Sequence, residues 1–153
     1  MTNEYGAPDQ IQPQALGDYL EVMSKAAFQS GMPWKVVEAK WATTREAFHD
    51  FEIDAVAEMN ADQIDALAQD TRVIRNRRKL EAVVANAQRL IELEQEHGSI
   101  KNYFGTLGDD FDAKVKRLRK DFKFLGNFGS YYFHYVVGEE VPPHEEYRAA
   151  RGK

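Results

Sequence analysis

Three observations predict an all-α fold for this 153-residue chain. Apolar residues recur at three- and four-residue spacing in one segment after another. Helix-starting and helix-stopping residues sit between those segments. No run of strand length alternates apolar with polar residues. The length suits a single domain with loose ends, and it is enough to bury a core without covalent staples.

The elements follow in order. Residues 1–13, with Gly6, Pro8 and Pro13, read as an irregular lead-in. Residues 14–138 form the helical domain, and 139–153 are a charged tail predicted to be extended or mobile, with Pro142 and Pro143 near its start. Leu16, Tyr19, Leu20, Met23 and Ala27 mark a first helix from Gln14 to about Gln29, which Ser30-Gly31-Met32-Pro33 ends. Trp34, Val37 and Trp41 open a second helix, and Thr43 or Thr44 is expected to cap a third that carries Ala47, Phe48 and Phe51. A short helix over 54–59 precedes Asn60, which with Gln63 makes a capping-box pattern before Ile64 and Leu67. A turn over 70–74 leads into a long helix, about Asn76 to Glu96, that Gly98 stops. Ser99 starts a brief helix, and Asp109 or Asp110 caps another through Val115, Leu118 and Phe122. After Gly126 comes a last apolar helix, Phe128 to Val137.

Twenty basic and 25 acidic residues leave a formal charge of −5, which does not announce a nucleic-acid binder. Phosphate contacts are local, however, and charge is screened within about 10 Å, so distribution outweighs the sum. Arg72, Arg75, Arg77, Arg78 and Lys79 form one basic run; Lys114, Lys116, Arg117, Arg119, Lys120 and Lys123 form a second, read as the exposed side of an amphipathic helix in preference to a second phosphate-binding surface. The absence of cysteine excludes disulfides, thiolate metal sites and cysteine nucleophiles. His49, His97, His134 and His144 show no ligand spacing, and no metal or other cofactor is predicted. No apolar run reaches the roughly 18 residues of a membrane span, and the first residues lack a secretory pattern, so a cytoplasmic location is expected. Gly-rich phosphate loops and a nucleophile elbow are both missing.

The stretch from Ile64 to Leu80 reads as a short helix, a tight turn and the cation-rich start of a long helix. Cations there oppose the helix dipole by a few tenths of a kcal/mol each, a cost that makes sense if an anion sits at the helix start. A solvated basic patch balancing acidic neighbours explains the same pattern.

The order Gln29-Ser-Gly-Met-Pro-Trp34, Lys40-Trp-Ala-Thr-Thr-Arg45-Glu-Ala-Phe-His49-Asp-Phe51, the turn from Gln69 to Lys79, and Phe122-Lys-Phe-Leu-Gly126 resembles the DNA-3-methyladenine glycosylase I family, of the helix-hairpin-helix glycosylase superfamily. The resemblance covers roughly residues 16 to 138. It implies an all-α domain that grips double-stranded DNA containing alkylated bases and rotates the damaged nucleotide into a pocket, where its N-glycosidic bond is hydrolysed. It further implies phosphate contacts from Arg72, Arg75, Arg77 and Lys79, and a base pocket of Trp34, Gln29 and Tyr131. From the residues alone, Trp34 serves equally well as a core anchor.

Four departures qualify the resemblance. Ala26 stands where the family has a base-contacting glutamate, so no catalytic residue is assigned; Glu21 faces another side of its helix, and Lys25 would repel a cationic base. The family's zinc cysteines are missing, although His144 lies near a zinc-histidine position. Arg72 and Arg78 replace glycines of the hairpin, which strains the turn if Arg72 needs a positive φ and otherwise changes its shape. Only Tyr5 precedes residue 19 to serve as an N-terminal pocket aromatic. Glu92, Glu94 and Glu96 read as a solvated helix end rather than as a catalytic acid. Two alternatives to an active enzyme remain: an inactive relative that binds DNA or a small aromatic ligand, and a protein-interaction module.

Overall fold

A computed structural model describes residues 8–151, and the lead-in through Ala7, with Tyr5, lies outside the described residues. The described residues form nine α-helices and no strand. They are α1 (Leu16–Gln29), α2 (Trp34–Ala47), α3 (Ile53–Ala57), α4 (Ala61–Leu67), α5 (Arg77–His97), α6 (Ile100–Gly105), α7 (Phe111–Asp121), α8 (Asn127–Val136) and α9 (His144–Arg151). No helix among the described residues is long and apolar enough to cross a membrane.

The core forms around α1 because that helix is apolar on most of its circumference. Leu20, Met23, Ala27 and Phe28 are fully buried, and α1 packs on α5, α8 and α2. From α5, Leu80, Val83, Ala87, Leu90 and Leu93 fill the same interior at helical spacing. Asn60 and Gln63 make the expected reciprocal cap on α4 at 2.9 and 2.8 Å. Gly98 ends α5 in the left-handed region at φ 85°, where glycine alone adds no strain.

Three segments differ from expectation, each for a tertiary reason. One continuous helix, α2, replaces the expected pair: Thr43 and Thr44 do not cap but bond back to the Lys40 carbonyl, and Thr43 also reaches the Arg72 carbonyl at 2.7 Å. After α2 the chain makes a left-handed turn in which His49, Asp50 and Phe51 have φ of 57, 54 and 57°. The Phe51 ring there stacks between Trp41 and Phe48, each 5.6 Å away, so aromatic packing holds a backbone form that non-glycine residues rarely adopt. In the tail, residues 144–151 form α9 instead of an extended strand of chain. Buried Tyr147 fixes α9 through ring contacts with Phe111, Phe128 and Tyr131 and a hydroxyl bond to the Asn127 carbonyl. Ile11 is held against the end of α8 by its amide on the Val136 carbonyl.

His134 on α8 is buried among Phe104, Phe111 and Phe133. A carbonyl can only accept, so Nδ1–H donates to the Ser130 carbonyl at 2.8 Å and Nε2, an acceptor in the neutral ring, meets no donor. Burial holds its pKa below the ordinary histidine value, opposed by the Ser130 bond. The unfolded chain therefore binds this proton first on acidification. Stability should be full above about pH 7 and decline through and below the ordinary value near 6.5. Melting temperatures between pH 8 and 5 check this, and His134→Phe should flatten the profile.

Candidate nucleic-acid interface and base pocket

The turn between α4 and α5 takes its shape from side chains. Asp70 accepts from the Arg72 amide at 2.8 Å, and Asn76 caps α5 by accepting from the Lys79 amide. Lys40 on α2 donates to the Thr71 carbonyl at 2.6 Å, beside the Thr43 bond to Arg72. Neither Arg72 nor Arg78 has a positive φ, so the turn departs from a glycine-built hairpin in shape and carries no left-handed strain.

The basic run does not present its charges uniformly. Arg72 pairs with Asp70 at 2.9 Å and approaches Glu46 at 3.9 Å. Arg77 pairs with Asp65 and with Glu81. Lys79 faces inward: it is 4% exposed, and its ammonium donates to the Phe28 carbonyl at 2.9 Å and to the Ser30 carbonyl. Burial lowers its pKa, and both contacts close the C-terminal end of α1, leaving no free face for a phosphate. Arg75 and Arg78 are exposed and make no ion pair among the described residues.

From Arg78 a groove of about 660 Å³ runs along α5 and the α7–α8 connection. Arg78, Arg89, Arg119, Lys120 and Lys123 line it, against Glu92 and Asp121. Both carboxylates are engaged by Arg89, at 3.0 and 2.8 Å. Burial alone would raise the Asp121 pKa, but the hydrogen bonds from Arg89 and the Tyr103 hydroxyl outweigh it and hold the carboxyl below the usual range. Asn86 fixes the loop from below, bonding the Lys123 carbonyl and amide at 3.1 and 2.8 Å. Arg119 and Lys120 stand exposed, as the amphipathic pattern of α7 predicts, and on that open face they share the groove with residues of α5, too distant in the chain for any local pattern to show.

A second hollow, of about 240 Å³, adjoins the groove and shares Phe124 and Gly126 with it. Ala26, Gln29, Ser30, Phe128 and Gly129 complete its lining. Phe124 stands at φ 61°, a strained form at the junction of the two spaces. Among the described residues no carboxylate lines the hollow. Glu21 accepts from the Trp41 indole at 2.9 Å and pairs with Arg45, away from Ala26.

The three expected pocket residues therefore separate. Gln29 lines the hollow. Trp34 lies half-buried with its ring 5.4 Å from Tyr132 and the Lys25 ammonium 5.7 Å from its centre, outside the lining. Tyr131 points elsewhere, packed against Tyr147, His144 and Phe111, with its hydroxyl on the Pro142 carbonyl. Helix α9 draws Tyr131 to that side, and Phe124 and Phe128 supply the aromatic lining instead. Among the described residues no three His, Asp or Glu side chains are arranged to hold a metal. With no cysteine in the sequence and with His144 edge to face against Tyr131, the described residues do not fit a zinc ion.

Comparison with known proteins places these features in a lineage. The methyladenine glycosylase family profile matches residues 3–124. Over 67 residues the chain is 43% identical to the DNA-3-methyladenine glycosylase of Haemophilus influenzae, covering 44% of this chain and 36% of that protein. Over 93 residues it is 31% identical to DNA-3-methyladenine glycosylase 1 of Escherichia coli, covering 61% and 48%. The chain thus spans less than half the length of these curated relatives. The structure of 3-methyladenine DNA glycosylase I from Staphylococcus aureus superposes with a TM-score of 0.73 at 27% identity, over 84% of this chain and 79% of that one. The chain belongs to the methyladenine glycosylase family.

Proposed function

We propose that this chain is a DNA N-glycosylase that removes alkylated purines of the 3-methyladenine type from double-stranded DNA. The carrying observation is the continuity of a cationic groove with an apolar hollow through Phe124 and Gly126. In this reading the helix-hairpin-helix of α4 and α5 and the groove hold the phosphates, chiefly through Arg75, Arg78, Arg119, Lys120 and Lys123. An everted base enters the hollow between Phe124 and Gln29, with Trp34 supporting the α1–α8 seam behind it. Water adds its oxygen to C1′ as the C1′–N bond breaks; the bond electrons leave with the base and the water proton passes to solvent. A 3-alkylated purine is cationic while attached and departs as a neutral base, so its departure needs no protonation by an acid.

Release of free bases from methylated duplex DNA tests the reading. Arg78→Ala with Lys123→Ala should lower the salt slope of duplex binding by about two without lowering the melting temperature. Gly129→Leu, which fills the hollow, should cut release about a hundred-fold while leaving that slope unchanged. A second reading, an inactive DNA-binding relative, draws on Ala26 at the family's glutamate position. Salt-dependent binding with no base release would establish the second reading; no salt-dependent binding would sink both.

A further inference from the structure

Gln29 is the last residue of α1 and lines the hollow, and its side-chain amide can both donate to and accept from a purine edge. The helix alone does not fix it there. Carbonyls at a helix end lack intrahelical donors, and the next residue, Ser30, has already left the helix at φ −58° and ψ 111°. Lys79 supplies the missing donor. Its buried ammonium donates to the Phe28 carbonyl at 2.9 Å and to the Ser30 carbonyl, the two that flank Gln29. The Met32 amide donates to the Gln29 carbonyl itself at 2.9 Å, so the backbone is held on both sides of this side chain. Lys79 comes from the first turn of α5, where the Asn76 side chain caps its amide at 3.2 Å. Its neighbour Arg78 lines the groove instead. Successive residues on a helix point about 100° apart, so one turn of α5 reaches the groove on one side and the backbone under the hollow on the other.

We infer that Lys79 is a positioning residue that holds Gln29 for base recognition, through the two carbonyls on either side of it. The inference rests on the glycosylase reading above, in which Lys79 touches neither phosphate nor base. The test is a double-mutant cycle, read as the single-turnover rate of base release from methylated duplex DNA at a temperature where every variant is folded. Gln29→Ala should slow release about ten-fold, the loss expected for one hydrogen bond to the base. Lys79→Met should slow it by about the same factor while leaving intact-duplex affinity unchanged. The double variant should also be about ten-fold slower, where independent residues would give about a hundred-fold. Gly17→Ala separates positioning from stability: its new Cβ meets the Phe51 carbonyl at the opposite end of α1, and its release rate should match the wild type. If Lys79→Met does not fold, Lys79→Gln, with a neutral donor one bond shorter, replaces it in the cycle under the same criteria. Wild-type release from either single variant of the cycle overturns the inference alone. A hundred-fold loss in the double variant does so too, as does a Gly17→Ala chain slowed as much as Lys79→Met. No base release from the wild-type chain overturns the glycosylase reading and the inference with it.

Discussion

Gly17→Ala is expected to lower the melting temperature by about 10 °C, corresponding to roughly 3 kcal/mol for a chain of this size. A Cβ at this position would lie 2.0 Å from the Phe51 carbonyl oxygen and 3.2 Å from its carbon. The obstacle is backbone, not a flexible side-chain end. It belongs to the left-handed turn whose Phe51 ring is stacked between Trp41 and Phe48, so it cannot retreat without undoing that stack. Gly129→Ala is the matched control within a helix. There a Cβ would meet its nearest atoms, on Ala26 and Leu125, at 3.7 Å, an ordinary contact. That variant should be neutral or gain up to about 1 kcal/mol from reduced backbone entropy in the unfolded chain. Thermal unfolding of the two variants side by side decides the matter, and equal behaviour would show that α1 and the turn are not in close contact.

The second large effect is expected at Lys79. Lys79→Met keeps most of the side-chain volume but removes the cation that donates to the Phe28 and Ser30 carbonyls. These groups lie at the C-terminal end of α1, where carbonyls lack intrahelical donors and the helix dipole is negative. Leaving the buried Phe28 carbonyl without a donor, while the exposed Ser30 turns to water, should cost about 2 kcal/mol. Because the ammonium faces inward, the salt slope of duplex binding should not change. Arg78→Ala should do the reverse, reducing the slope by about one with little change in stability. If Lys79→Met instead lowers the slope and leaves the melting temperature untouched, Lys79 is a phosphate ligand after all.

These neighbours in the basic run illustrate what could be read from the sequence and what could not. The helical class, the Asn60–Gln63 cap and the Gly98 stop were legible because each depends on residues within one turn of one another. The existence of a basic turn before α5 was legible for the same reason. Which of its cations stays free was not. Lys79 is turned inward by carbonyls some fifty positions earlier, whereas Arg72 and Arg77 are held by Asp70 and Asp65 across the turn. Arg78 is left to the groove, where Arg119, Lys120 and Lys123 join it from the far end of the chain. The pocket shows the same division. Gln29, singled out through the motif it sits in, does line the hollow, but the choice among the aromatics of α8 depends on α9, which a proline-rich, charged segment did not announce. Thr43 and Thr44 carried strong capping chemistry, yet it was spent inside α2, where the Arg72 carbonyl from the neighbouring turn gave Thr43 a second partner.

Helix α9 has a practical corollary for anyone shortening this chain. A version cut at Pro143 would retain α1 to α8, with the cationic groove and the small hollow drawn from them. It would also strip the cover from Tyr131 and Phe111 and the brace from Phe128. Such a product should remain helical and continue to associate with polyanions, while exposing a greasy aromatic face that promotes clumping. The closing eight residues of helix act as a clasp, and trimming them for convenience would alter behaviour at the mouth of the hollow.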